Sequence, residues 1–298
     1  MFSQNRREFI RNTTTLGIAA ALLPAVGHAA EKPRFTVGLS QYSLRAMFKD
    51  KSLDPLDYAQ YAVDTFGIKA IDLWEGGLPG DKLNDKAYLG KLKERATQAG
   101  SDLFLLMTGP LDANPQKKDG SVKSLKSAVD RAMMLGCDFL RVFLRAPGKD
   151  EAAGVKASVE ALKPLSDYAA EKKVMIAIEP GASVLSQKGA FLAKVAKALN
   201  HDACKLMPDF GKLKNNVYDG TEAMLPYTVT VSAKMHSFDA DGNQPDFDYV
   251  RLMKMIVESE YKGYIAIEWE GKKLKPVKGV KASQALIKKS LAANGVIL

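Results

Sequence analysis

Short, almost continuously apolar runs alternate along the chain with longer amphipathic ones. The short runs are 35–42, 69–74, 102–108, 138–144, 174–179, 205–209, 229–236 and 264–269. Runs that lack an apolar/polar alternation predict strands buried on both faces, as in a parallel sheet covered by helices. Between them, apolar residues recur with helical spacing over 55–66, 85–98, 121–135, 151–172, 188–199, 220–226, 247–259 and 278–293. Gly67, Gly100 and Gly136 each stand between a helical pattern and the next strand, where a helix stop belongs. Eight strands alternating with eight helices, with no linker between them, predict a closed parallel (β/α)8 barrel. The competing arrangement is a doubly wound open sheet. It normally carries a glycine-rich phosphate loop after a strand, and none is found here. Longer polar insertions at 110–120 and 212–217 follow strand ends, where barrel enzymes build their sites.

The N-terminus departs from this rhythm. Asn5-Arg6-Arg7-Glu8-Phe9-Ile10-Arg11 resembles a twin-arginine export motif. A weakly apolar run over 15–26 and a small-residue stretch, Gly27-His28-Ala29-Ala30, follow it. The run is too short for a stable membrane span, so the expectation is an export signal over residues 1–30 and a periplasmic barrel domain over 31–298.

Composition adds little beyond ordinary globular character. Hydrophobic residues make up 46% and charged residues 26% of 298 residues. The net charge is +9; Arg6, Arg7, Arg11 and Glu8 account for +2, leaving +7 for the rest. The lysines are scattered over helical segments with no basic stripe, which excludes a nucleic-acid interface from the expected functions. Cys137 and Cys204 both fall near strand starts, away from the expected site, and read as buried structural thiols.

The chemistry gathers at four consecutive strand ends. The fifth run ends in Glu179, the sixth in Asp209, the seventh contains Lys234 and ends in His236, and the eighth ends in Glu268-Trp269-Glu270. Strand ends converge on one barrel mouth. Carboxylates following apolar residues are costly to bury unpaired, and a divalent cation removes that cost. Hard oxygen ligands with one imidazole suit Mn, Mg or Co, with Zn also admissible. A single strand-end carboxylate could equally cap a helix or face solvent; the coincidence of several favours a metal. His236 is the one histidine placed for this site, since His28 lies in the signal and His201 in a polar turn. A hydrogen-bonding or surface role is its alternative.

Further stretches resemble the sugar phosphate isomerase/epimerase family, the xylose isomerase-like TIM barrels. They are Met207-Pro208-Asp209-Phe210-Gly211, Val231-Ser232-Ala233-Lys234, Phe238-Asp239-Ala240-Asp241-Gly242-Asn243 and Ile267-Glu268-Trp269-Glu270-Gly271. Ala70-Ile71-Asp72-Leu73-Trp74 and Leu140-Arg141-Val142 fit earlier strands of that family. The resemblance implies a metal held by Glu179, Asp209, His236 and Glu268. Two departures stand out. Pro180-Gly181 follows the fifth-strand glutamate where many relatives have His and Asn, and Ser232 stands where many carry the seventh-strand histidine.

By position, Arg141, Lys212 and Lys234 are expected to contact substrate oxygens, and Tyr42 and Trp74 to stack on a sugar face. Asp72 and Glu270 are expected to orient the ligands. The predicted function is a metal-dependent isomerase or epimerase of an unphosphorylated sugar, with Glu179 and Glu268 as the acid/base pair around an enediolate. A lyase cleaving 3-keto glycosides at the same site is the runner-up. A non-catalytic sugar-binding barrel and a metal-dependent hydrolase are further readings. A sugar is the one expected partner, with a homo-oligomer left open.

Overall fold

The structure is a computed structural model that describes residues 33–213 and 217–298. The export signal expected over 1–30 lies outside the described residues. Residues 33–298 form one compact unit. No helix among the described residues is long and apolar enough to cross a membrane.

Eight parallel strands wrap around a common axis: β1 (Phe35–Leu39), β2 (Ala70–Trp74), β3 (Asp102–Asp112), β4 (Phe139–Arg145), β5 (Met175–Glu179), β6 (Cys204–Leu206), β7 (Thr230–Met235) and β8 (Gly263–Trp269). Their order is β6-β5-β4-β3-β2-β1-β8-β7. The barrel is closed between β6 and β7 by two isolated bridges, Leu206 to Thr228 and Asp209 to Ser232. The helices are α1 (Arg45–Lys49), α2 (Tyr58–Phe66), α3 (Lys86–Gln98), α4 (Lys118–Leu135), α5 (Glu151–Glu171), α6 (Gly189–Leu199), α7 (Val217–Met224), α8 (Tyr249–Glu258) and α9 (Pro276–Ala292). This is the (β/α)8 barrel expected, with the extra short α1 after β1.

Local chemistry sets the boundaries. Asp85, Asp150 and Asp248 accept hydrogen bonds from the first-turn amides of α3, α5 and α8, which satisfies donors the helix itself cannot. Gly67 and Gly136 end α2 and α4 at φ 67° and 81°, backbone that a β-carbon disfavours. The sixth run was expected as strand to Asp209, yet regular pairing stops at Leu206, and Pro208 has no amide to donate. Conversely, the insertion at 110–120 is not all loop. β3 runs on to Asp112, paired with Arg145 of β4, and α4 begins at Lys118. Cys204 opens β6, whereas Cys137 lies two residues before β4; both are free and buried.

Strand alternation divides the core in two. Outward residues such as Ile176, Ile178, Ala233, Ile265 and Ile267 pack under the helices. Inward residues Phe104, Met107, Ala177, Met207 and Ala266 fill the barrel, and Phe104 stacks on Tyr264 at a centroid distance of 4.2 Å. The small Ala177 and Ala266 lie two residues below Glu179 and Glu268 on the same inward face. They leave space beneath the mouth for charged groups.

Candidate active site

Inward alternation carries Glu179, Asp209 and Glu268 to one point. One carboxylate oxygen of each lies within 4.8 Å of the others, and all three side chains are buried. Lys234 reaches the same point from β7. Its Nζ is 3.3 Å from Asp209 Oδ2, 3.2 Å from Glu268 Oε1 and 2.5 Å from Glu270 Oε1. Ser232, one inward step below Lys234, donates its hydroxyl to Glu268 Oε2 at 2.7 Å. From β4, Arg141 Nε stands 2.9 Å from Glu179 Oε2, and its Nη1 donates to Thr108 O at 2.6 Å. The Arg141–Glu179 contact is a charge pair without hydrogen-bond geometry. Both Glu179 oxygens and Asp209 Oδ2 therefore lack a hydrogen-bond donor despite burial. Buried, unsatisfied anionic oxygens aimed at one point are the donor set of a hard divalent cation. Charge agrees: four carboxylates (Glu179, Asp209, Glu268, Glu270) face two cations (Arg141, Lys234), and one divalent ion would bring the group to neutrality.

The carboxyls differ sharply in environment. Burial pushes Glu179 well above the usual carboxylate range, against the pull of Arg141. Burial also raises Asp209, with Lys234 opposing. At Glu268 burial acts in the same upward sense, but Lys234 and the Ser232 hydroxyl outweigh it and hold the group at about 2. Lys234 is fixed as an ammonium, because the surrounding carboxylates overcome its own burial.

Above this floor opens a cavity of about 480 Å³. Tyr42 and Trp74 form one wall, edge to face with centroids 4.8 Å apart. The wall is braced from beneath: Gln41 N donates to Asp72 Oδ1 at 2.9 Å, and Trp74 N donates to Gln41 Oε1 at 2.7 Å. Asp72 thus positions the aromatic wall and makes no contact in the carboxylate triad. Burial pushes its carboxyl up to about 8. Arg45 ties the wall to the neighbouring end of β8, donating to Trp269 O and Glu270 O while lying 4.8 Å over the Tyr42 ring. On the far side Lys212 Nζ lies 5.6 Å over Phe143, and its amide donates to Asp209 Oδ1.

Of the expected residues, Tyr42, Trp74, Arg141, Glu179, Lys212, Lys234, Glu268 and Glu270 line the cavity, and Asp209 lies in the triad at its floor. His236 does not join the group of ligating atoms among the described residues. β7 ends at Met235, so His236 lies one inward step beyond Lys234, on the order of 13 Å along the chain from Ser232. There its ring packs over Gly211, and the Lys234 side chain fills the space beneath. Two cavity residues escaped the sequence reading. Glu75 accepts from Thr108 Oγ1 at 2.6 Å and pairs with Arg131 at 2.6 Å; with Thr108 it forms the polar edge beside Trp74. Both sit at or just past an apolar run, the signal that identified Glu179 and Glu268.

The structure is a (β/α)8 barrel with a carboxylate triad at its strand ends. The chain belongs to the xylose isomerase-like TIM barrel family, whose pattern it matches over residues 60–290. Among curated proteins, the C-glycoside deglycosidase alpha subunit of Arthrobacter globiformis is 32% identical over 80 residues, 25% of this chain and 22% of that protein. The chain therefore matches less than a quarter of that relative's length. Three solved structures share the fold. D-psicose 3-epimerase of Clostridium cellulolyticum H10, with D-tagatose, gives a TM-score of 0.67 at 12% identity, covering 86% of this chain and 99% of that one. The IolI protein with a bound zinc atom gives 0.70 at 13%, covering 86% and 98%. The 3-keto-D-glucoside 4-epimerase YcjR of E. coli gives 0.62 at 13%, covering 87% and 100%.

Proposed function

We propose that the protein is a sugar-acting enzyme of the isomerase/epimerase kind that removes a proton from a carbon beside a carbonyl. The observation that carries this reading is the Glu179–Glu268 pair on the cavity floor, two close carboxyls in opposed surroundings. Lys234 and Ser232 draw the Glu268 carboxyl down to about 2, while burial pushes that of Glu179 up. Titratable partners pushed apart in this way divide the acid and base roles. Of the pair, one carboxylate takes the proton from carbon and the other, once it carries a proton, returns one. The enediolate oxygens then face the cations of Lys234 and Arg141, held among buried carboxylates. Trp74 and Tyr42 orient the ring, and Glu75 and Thr108 accept or donate to its hydroxyls.

Glu179, Asp209 and Glu268 would hold one divalent metal. When bound, it would supply positive charge that polarises the substrate carbonyl. An unphosphorylated substrate fits the periplasmic location that we infer from Arg6-Arg7.

A second reading is favoured by the deglycosidase relative. The same proton removal on a 3-keto glycoside, followed by loss of the substituent on the next carbon, gives a lyase that releases the aglycone and an unsaturated keto sugar. Incubation with a panel of free ketoses and of 3-keto glycosides decides between them. Epimeric sugars with glycosidic bonds intact support the first, and aglycone release supports the second. Neither product from any member of the panel, despite sugar binding, would leave a non-catalytic binder.

A further inference from the structure

The cation seat of the triad is already contested from within the chain. Lys234 is 1% exposed, and its Nζ touches three carboxylates: Asp209, Glu268 and Glu270. Asp209 and Glu268 are two of the three groups that converge to bind a cation. The residue one inward step below, Ser232, spends its hydroxyl on Glu268 and adds no ligand that would favour a metal over the ammonium. Glu270 is different. It stands at the rim, its side chain 22% exposed, and makes the shortest of the three contacts with Nζ. The lysine thus has two seats, one inside the triad and one outside it.

We infer that Lys234 is a built-in competitor for the metal, and that a divalent ion enters only as Nζ withdraws from Asp209 and Glu268 onto Glu270. The inference rests on the metal reading above and adds its regulation. Two positive centres cannot share the same pair of carboxylate oxygens in a buried site without strong repulsion. The ammonium therefore weakens metal binding, and Glu270 relieves that effect by receiving it. A site built this way holds its ion loosely and keeps Asp209 and Glu268 paired with the ammonium when the ion is absent. The withdrawn ammonium stays in the cavity, where it can meet a substrate oxygen.

The test is calorimetric titration of the chelator-treated full chain with Mn²⁺, with manganese spin resonance as a second readout. Lys234→Met should bind Mn²⁺ on the order of tenfold more tightly than the wild type. Glu270→Gln leaves the triad untouched but removes the outer seat, and should bind it on the order of tenfold more weakly. Asp209→Asn, the control for the triad, should lose binding. If wild type and both Lys234→Met and Glu270→Gln bind Mn²⁺ equally, the competition is overturned while the metal site stands. If none of them binds Mn²⁺, the metal reading falls and the inference with it. Should Lys234→Met fail to fold, Glu270→Gln alone decides: unchanged or tighter binding overturns the inference.

Discussion

Arg141 and Glu179 meet side by side on the neighbouring strands β4 and β5, Nε to Oε2 at 2.9 Å, both side chains at most 5% exposed. The guanidinium is itself anchored by the Thr108 carbonyl. A carboxylate so deeply placed depends on this neighbour, because removing one member of a buried pair leaves the other uncompensated. Arg141→Met should destabilise the fold by about 3–5 kcal/mol in denaturant titration and abolish turnover. Arg141→Lys restores charge but not the forked reach to both Glu179 and Thr108, and should recover only part of either property.

The carboxylate triad makes a simpler claim. Asp209→Asn and Glu268→Gln should each lose the bound metal by elemental analysis while circular dichroism stays that of the folded barrel. Full metal occupancy in both variants would remove the triad from the account.

Asp72 links the mouth to pH. Its carboxyl titrates at about 8 in the fold against 3.8 in its ordinary state, because burial disfavours the charge. A group raised on folding stabilises the fold while it holds its proton. That contribution is full below pH 3.8 and is lost progressively as pH rises toward about 8, by up to about 1.4 kcal/mol per unit. Asp72→Asn keeps an acceptor for the Gln41 amide but cannot ionise. It should therefore lose less stability than the wild type between pH 5 and pH 9 in thermal melts. Parallel pH profiles would contradict the assignment.

The aromatic wall is set by a close approach. A β-carbon at Gly76 would fall 2.4 Å from the Trp74 ring, too near for any unshifted packing. Gly76→Ala should displace Trp74 and raise KM for the sugar roughly tenfold, as Trp74→Ala should, with a smaller effect on kcat. A kcat loss at constant KM would place Trp74 in the chemistry and not in binding.

Much of this site could be read from the chain because the barrel turns strand position into spatial position. Glu179 and Glu268 lie at the ends of their strands, where alternation sends them inward, and Asp209, three residues past β6, is held inward by its bridge to Ser232 of β7. The same logic pointed to Lys234 as a mouth residue but said nothing of depth. Whether Nζ rises to substrate or sinks among carboxylates depends on side-chain packing across β7 and β8, which no strand pattern encodes. His236 stands outside the triad for a related reason. Parity placed it on the inward side, but the strand stops one residue short of it, and the level it reaches is already above the lysine. Asp72, expected to orient the ligands, braces the wall through Gln41, a contact set by the short turn after β1. Glu75 and Thr108 were overlooked although the strand-end rule covers them.

The central claim is that Glu179 and Glu268 move a proton on and off a carbon beside a carbonyl. It is tested most directly by incubating the wild type, Glu179→Gln and Glu268→Gln with ketoses and 3-keto glycosides in heavy water and following the products by proton magnetic resonance. The account predicts deuterium on the carbon beside the carbonyl of recovered sugar, or an unsaturated keto product with its released aglycone. Both should fall by about 10²–10⁴-fold in either variant. Cleavage by simple hydrolysis, with no exchange and no unsaturated product, or exchange that survives in both variants, would contradict it.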